Sequence, residues 1–246
     1  MFAKKSVIGH KGLPFHCPHT EDDLRVIYES LDTGLNKGAS FLDLGCGKGQ
    51  LLSLLVEKYE GTGLGIDTNS ASLSAVRTPK TGSVETLCED MCSWIERSKE
   101  NARVFDVVMC IGSLRSGRQD EMLRTLSAFV RPGGYMIIGE LVWIKEPSQY
   151  FLDFLEMKKS DNTSQEELAS PITESGLTRI HHQSLRSLES YECAIHRNVE
   201  EWASVSKDDP DCEKILELST AWTNFTREYG WETWSFCTII AQKPST

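Results

Sequence analysis

Short apolar runs alternate with stretches of helical periodicity through the first 140 residues of the chain. Apolar residues recurring every three or four positions predict helices over residues 51–58, 70–76 and 119–130. Between and around these helices lie runs that predict β-strands, at residues 40–44, 63–66, 84–88, 105–111 and 135–140. Because parallel strands cannot be joined by a hairpin, strands separated by helix-length connections indicate a parallel sheet with right-handed crossovers.

Both ends of the chain depart from this alternation. Thr20 and Asp23 predict a capping box at the start of a helix whose apolar face includes Leu24 and Ile27, and Gly34 is placed to end it. After residue 140 a polar segment precedes a weaker strand at 177–183. A long helical region over 188–229 and a last strand at 235–242 follow.

These elements predict an α/β fold. We expect a Rossmann-like, doubly wound, seven-stranded and mostly parallel sheet, with an N-terminal helix over the ligand-binding edge and helical cap insertions. One domain is expected to span residues 1–246. Its core covers about 35–140 and 177–246, and its lid and cap segments cover about 1–34, 141–176 and 188–232.

Composition narrows the function. The net charge of -10, with 26 Lys and Arg scattered along the chain, disfavours a nucleic acid partner. The apolar runs are too short to cross a membrane, and no apolar segment follows Lys4 and Lys5 as in a signal peptide. We therefore expect a cytoplasmic protein without a membrane partner. Its oligomeric state stays open between monomer and homodimer.

The eight cysteines occur singly, and none forms a CxxC pair. Cys88 and Cys92 are the closest pair, but no second pair or nearby His completes a zinc set. We therefore expect free thiols, mostly buried, and no metal site.

The most informative segment is 41–50, where an apolar strand runs into Gly45, Gly47 and Gly49 and then a leucine-rich helix. Glycines allow a tight turn and let a ligand approach bare backbone at a helix N-terminus. Two acidic residues follow the next two strands, Asp67 after the second and Asp90 after the third. Carboxylates at those strand ends predict contacts to a ribose and to an adenine amino group.

This series of motifs (DLGCGKG, GID, EDM, DVVMCIGS and RPGGYMIIGE, over about residues 40–140) resembles the class I methyltransferases that use S-adenosylmethionine (SAM). The resemblance implies SAM as cofactor and S-adenosylhomocysteine (SAH) as product. It implies a cofactor turn containing Gly45, Cys46, Gly47 and Gly49. It further implies contacts of Asp43 with the methionine end, Asp67 with the ribose, Asp90 and Met91 with the adenine, and Cys110 with the sulfonium. Thr68 is a further predicted cofactor-binding residue.

A looser similarity, in segments 16–20, 139–143 and 227–231, is to bacterial small-molecule methyltransferases. A small-molecule acceptor is therefore expected. Glu140 and His19 are the predicted catalytic residues, and His10 and His16 are further candidate bases. The predicted acceptor-binding residues are Trp143, Tyr150, Tyr229 and Trp231, although aromatic residues at such spacings also form cap cores.

Three alternatives remain. A nicotinamide dehydrogenase also uses a glycine-rich turn, but its fingerprint requires a glycine where this chain has Gln50. A SAM-binding protein without catalysis would keep the cofactor motifs and fill the acceptor cavity. Methylation of protein or RNA is disfavoured by the negative charge and by the expected cap. The sequence does not identify the acceptor.

Overall fold

The computed structural model describes residues 2–99, 103–114, 118–185 and 187–245. Its helices are α1 (Phe2–Gly9), α2 (Glu21–Asp32), α3 (Gln50–Tyr59), α4 (Ser70–Leu73), α5 (Met91–Lys99), α6 (Gln119–Ala128), α7 (Gln149–Leu155), α8 (Gln165–Glu174), α9 (Leu188–Val205) and α10 (Cys212–Phe225). Its strands are β1 (Ser40–Leu44), β2 (Thr62–Asp67), β3 (Ser83–Cys88), β4 (Phe105–Ile111), β5 (Val130–Trp143), β6 (Thr163–Ser164), β7 (Thr178–Leu185) and β8 (Trp234–Gln242).

The strands form one mixed sheet in the order β3-β2-β1-β4-β5-β8-β7, with the two-residue β6 on the far end of β5. The first five strands are parallel, and β8 runs antiparallel between β5 and β7. Strands β2 and β3 are added on one side of β1, and β4 and β5 on the other side. Ligands bind in open α/β sheets at such a change in the direction of strand order, here between β1 and β4. The predicted Rossmann-like fold is confirmed, with eight strands where seven were expected because β6 adds a short pair.

Helices cover both faces of the sheet. On one face α2 and α3 bury Ile27, Leu31 and Leu55 against β1 and β4. On the other face α5, α6 and α8 pack on the opposite sides of the same strands, with Leu126 and Ile172 fully or almost fully buried. Residues of the central strands thus point into apolar cores on both sides, as near-continuous apolar runs predict.

Several predicted boundaries were wrong. The long helical region predicted over 188–229 is present as two helices, α9 and α10, which are separated by residues 206–211, and a π-helical turn over Thr226–Gly230 follows. Helix α6 ends at Ala128 instead of residue 130, and strand β5 covers Val130–Trp143 instead of the predicted 135–140. The polar segment predicted after residue 140 contains the last residues of β5 and then α7 and α8.

Helix α1 was not predicted, and it packs against α9 in the cap. The Lys4 ammonium pairs with Asp209 (2.5 Å) and Asp211 (2.8 Å), which lie just before α10. The Asn198 amide of α9 donates to the carbonyls of Gly9 and Lys11. The partners of α1 are therefore distant in sequence.

Two further expectations concern membranes and thiols. Within the described ranges, every helix is too short or too polar to span a bilayer. All eight cysteines are unpaired, as expected, but the expectation that most are buried was wrong, because only Cys110, Cys212 and Cys237 are buried and Cys88 is exposed.

The capping box of α2 is present as predicted. The Thr20 hydroxyl accepts from the Asp23 N–H, and the Asp23 carboxylate accepts from the Thr20 N–H at 2.7 Å. Thr20→Ala should lower the free energy of unfolding by about 1 kcal/mol, because one helix N–H loses its partner. Urea denaturation measures the change, and Thr20→Ser, which keeps the hydroxyl, is the matched control. Equal losses in both variants would contradict the capping role.

Candidate functional site

The site begins where β1 meets the glycine-rich turn. The N–H groups of Gly45 and Cys46 both donate to the Ile66 carbonyl at the end of β2, at 2.8 and 3.1 Å. These two hydrogen bonds fix the turn to the end of β2, and β1 does not extend beyond Leu44. Gly49 then starts α3 with a left-handed backbone (φ 58°).

Gly45 and Gly47 are required by geometry as well as by ligand access. Both have positive φ angles, 77° and 52°. A Cβ at Gly45 would lie 2.1 Å from the Ser113 hydroxyl, and one at Gly47 would lie 3.3 Å from the His16 ring. A larger residue at Gly45 would therefore be strained and would also displace the end of the β4 loop.

The Asp67 carboxylate joins the turn to the end of β2. One oxygen accepts from the Gly47 N–H at 2.8 Å, and the other accepts from the Asn69 N–H at 2.8 Å. The position of the carboxylate is thus fixed by backbone groups on both sides. An ionised carboxylate offers about four lone-pair sites, so two remain for a ligand.

Asp43 is the buried acid of the site. Only 6% of the residue is exposed, and no group in the described part of the chain donates a hydrogen bond to its carboxylate. Burial, with a smaller contribution from the negative charge of Asp67, raises the pKa of Asp43 to about 7. A buried carboxylate without a partner is costly unless a cation or donor joins it.

A cavity of about 610 Å³ opens at this edge of the sheet. Its floor includes Asp43, the glycine-rich turn and Asp67, and its side includes Asn69 and residues of α4. Its roof comes from the N-terminal segment, with lining residues Ser6, Val7, Ile8, His10, Lys11, Gly12, Pro14, Phe15, His16, Cys17 and His19. The cavity thus brings together the glycine-rich turn after β1, the carboxylates of Asp43 and Asp67, and the N-terminal segment.

Residues 35–217 match the profile of a methyltransferase domain family. The chain belongs to this family. With the fold, this assignment confirms the predicted class of SAM-dependent methyltransferase. Two curated relatives match over shorter segments. An uncharacterized protein of Escherichia coli K12, YjhP, is 28% identical over 139 residues, which cover 54% of this chain and 53% of YjhP.

The second relative is a trans-aconitate 2-methyltransferase of Delftia acidovorans, 33% identical over 99 residues, covering 39% of this chain and 36% of the relative. The alignments therefore span about half and about a third of the two curated relatives. Among solved structures, a SAM-dependent methyltransferase of Geobacter sulfurreducens in complex with SAH superposes with a TM-score of 0.80 at 19% identity, covering 97% of both chains. A similar enzyme of Thiobacillus denitrificans, also with SAH, has a TM-score of 0.78 at 20% identity and covers 95% of this chain and 96% of its own.

The predicted cofactor residues of the methyltransferase divide into two groups. The cavity is lined by Asp43, Gly45, Cys46, Gly47 and Asp67. The remaining residues lie outside its lining, and these are Gly49, Thr68, Asp90, Met91 and Cys110.

Each residue of the second group has an identifiable structural position. The Asp90 carboxylate accepts from the N–H groups of Cys92 and Ser93 at the start of α5, both at 3.1 Å. Met91 places its methyl group 3.4 Å from where a Gly45 Cβ would lie. Cys110 is fully buried in the core, which raises the pKa of its thiol, and Thr68 is exposed. Their contacts with the cofactor stay predictions.

The side chains of the two predicted catalytic residues, Glu140 and His19, are hydrogen-bonded to other residues of the protein. Glu140 accepts from the N–H groups of Leu114 (3.1 Å) and Leu141 (3.0 Å), and burial raises its pKa to about 7. His19 uses both ring nitrogens, Nδ1 with Cys17 Sγ and Nε2 with Thr238 Oγ1, each at 3.0 Å. Burial lowers its pKa to about 4. Both arrangements fix neighbouring segments, and only His19 lines the cavity.

The four predicted acceptor-binding aromatics lie away from the cavity, in the cap. Trp143 is 7% exposed, stacks on Trp234 and donates from Nε1 to the Lys159 carbonyl. Tyr150 is 61% exposed and meets Tyr229 edge to face. Trp231 packs against the same aromatic cluster. Trp143 and Trp231 pack as in a cap core, whereas Tyr150 and Tyr229 are exposed, and the acceptor contacts of all four residues stay predictions.

Sequence reasoning missed several lining residues. Asn69 and Ser113 follow β2 and β4. Their positions within three residues of a strand end could have identified them, because ligands bind at the carboxyl ends of such strands. Lys48, in the glycine-rich turn, donates to the His10 carbonyl at 3.2 Å. The lining residues of α1 could not be predicted from the sequence pattern, because the position of that helix depends on contacts with residues far away in the sequence.

Asp43→Asn tests the buried charge. Since the folded pKa of about 7 lies above that of an ordinary Asp, the native state holds this proton more tightly. Stability contributed by Asp43 therefore falls as pH rises towards 7 and stays low above it. Asp43→Asn should raise the free energy of unfolding of the ligand-free protein by about 1 kcal/mol or more at pH 8. The gain should shrink as pH falls towards 4.

Urea denaturation at several pH values measures this difference. Asp22→Asn is the control, because that carboxylate is 87% exposed. A destabilised Asp43→Asn protein at pH 8, or a difference that does not vary with pH, would show that the carboxylate is not an uncompensated charge.

Proposed function

We propose that this enzyme transfers a methyl group from SAM to a small-molecule acceptor. The observation that carries the proposal is the buried Asp43 carboxylate, which lines a 610 Å³ cavity beside the glycine-rich turn and lacks a donor in the described residues. A cationic ligand group next to Asp43 would compensate the buried charge.

The residues of the cavity fit SAM. Asp43 would pair with the amino group of the methionine moiety, and the unfilled lone pairs of Asp67 would accept from the two ribose hydroxyls. The glycine-rich turn would let the ligand lie against backbone. Asp90 and Met91, at the start of α5, would complete the adenine side as predicted from the sequence. A dehydrogenase fits less well, because Asp43 would repel a pyrophosphate.

SAM, when bound, supplies an activated methyl group for in-line displacement. The protein therefore has to orient the reactants and exclude water. Positioning alone can supply effective molarities of about 10⁵ M or more. Here the fixed turn and the two carboxylates hold one reactant, while α1 and segment 10–19 cover the cavity.

A small acceptor is favoured over protein or RNA. The cavity has a volume of about 610 Å³, which suits a small molecule, and residues of α1 and of segment 10–19 line one side of it. The net charge of -10 also opposes nucleic acid. The Delftia relative is named for a small-molecule acceptor, trans-aconitate. A protein that only binds SAM remains the alternative from another class, and it would show no methyl transfer to any acceptor.

Calorimetric titration tests the cofactor. Wild-type protein should bind SAM and SAH with micromolar affinity and should not bind NAD. Asp67→Ala should weaken SAH binding at least about tenfold, since hydrogen bonds to a charged group are lost. Asp22→Ala, a change of an exposed acid, should leave affinity unaltered. Binding of NAD, or equal SAH affinity in both variants, would contradict the proposed site.

A further inference from the structure

His10 lies just after α1 and lines the roof of the cavity. Its Nδ1 is 2.7 Å from the Ser6 carbonyl oxygen and 3.2 Å from the Ser6 hydroxyl. Because a carbonyl oxygen can only accept, Nδ1 carries the hydrogen. The neutral ring therefore has its lone pair on Nε2, and no hydrogen bond engages Nε2 in the described part of the chain.

The groups around His10 favour the neutral ring. Burial first, and then the positive charges of Lys48 in the turn and Lys5 in α1, lower the pKa of His10, although the Ser6 carbonyl opposes them. The His16 ring lies 4.8 Å away and the Tyr191 ring of α9 lies 5.9 Å away.

Tyr191 and its neighbours on α9 and α10 form the rest of the environment of His10. The Tyr191 phenol oxygen is buried without a partner among the described residues. Beside it on α9, Glu192 accepts from Trp222 Nε1 at 3.1 Å and attracts Lys5. Burial raises the pKa of both Tyr191 and Glu192.

The other histidines of the cavity differ from His10 in one respect each. His19 has both nitrogens engaged by Cys17 and Thr238, so it has no lone pair to offer. His16 has no hydrogen bond to orient its ring within the described residues, and burial, followed by the charges of His10 and Lys48, lowers its pKa to about 4. Only His10 combines a fixed tautomer, a free nitrogen and a place on the cavity wall.

We propose that His10 Nε2 is the general base of methyl transfer, and that the acceptor is a neutral hydroxyl or amine whose proton must be removed. This inference rests on the proposed function. As the acceptor oxygen or nitrogen forms its bond to the methyl carbon, the carbon–sulfur bond breaks and its electron pair stays on sulfur. The acceptor proton passes to Nε2, and the imidazolium keeps its Nδ1–H bond to the Ser6 carbonyl.

The first test reads the ring itself, with no acceptor present. NMR of ¹⁵N-histidine-labelled protein in its SAH complex, assigned with His10→Asn, reports tautomer and pKa. We expect the Nδ1–H tautomer and a pKa below 6.5. An Nε2–H tautomer, or a ring that stays protonated at the pH at which the enzyme turns over, would overturn the proposal. Failure of the wild-type protein to bind SAH would instead contradict the proposed function.

The second test uses kinetics with three probe classes, namely phenols, primary amines and carboxylic acids, and methyl-labelled SAM. We expect turnover of phenols or amines. His10→Asn keeps a donor for the Ser6 carbonyl and removes the base, so kcat should fall about 10²- to 10⁴-fold while the SAH dissociation constant is unchanged. Imidazole added to His10→Gly should restore part of the rate.

The matched control is His182→Asn, which changes an exposed histidine on β7 outside the cavity. It should keep the wild-type rate and pH profile. In wild type, kcat should fall as pH drops below the lowered pKa of His10, and this inflection should be absent in His10→Asn. Turnover of carboxylic acids alone, or equal kcat in His10→Asn and His182→Asn, would overturn the inference.

Discussion

The burial of the Asp43 carboxylate is the constraint on which the site depends. Asp43 pairs in register with Gly65 of β2 and Met109 of β4, at the centre of the sheet. An uncompensated carboxylate at such a position opposes folding, since a charge in an apolar interior loses its hydration. The fold tolerates it because the chain turns away at Gly45 and leaves a cavity beside the side chain. Stability is thereby lost at the point where a cationic ligand can restore it.

The charges of the cavity are separated between floor and roof. Asp43 and Asp67 lie on the floor, whereas Lys11 and three histidines line the roof, and Lys48 of the glycine-rich turn donates to the His10 carbonyl of the roof. Asp67 raises the pKa of Asp43, and Lys48 lowers the pKa values of His10 and His16. The floor therefore attracts positive charge, and the roof keeps its imidazoles neutral and able to accept protons. Under the proposed function, this separation would place cofactor binding at the sheet edge and acceptor chemistry at the N-terminal segment.

Local pattern was enough to predict the sheet and its acidic edge. The strand runs, the positive-φ glycines and the acids at strand ends each follow from residues close together in sequence. The lid could not be predicted in the same way. Helix α1 is fixed by Lys4 pairing with Asp209 and Asp211, about two hundred positions away. The functions proposed from sequence for Trp143 and His19 likewise depended on neighbours that spacing does not reveal, namely Trp234 and Thr238.

The attachment of the lid has a consequence for chemistry at His10. Its helix bonds mainly to the cap, through Lys4 and Asn198, and the cofactor turn contributes one hydrogen bond, from Lys48 to the His10 carbonyl. The ring is oriented by Ser6 of its own helix and lies beside Tyr191 of α9. His10 is thus positioned mainly by contacts of its own helix with α9, and the contact with the sheet edge is the single hydrogen bond from Lys48. If His10 acts as the proposed base, the contacts that hold α1 against α9 also hold its ring on the cavity wall.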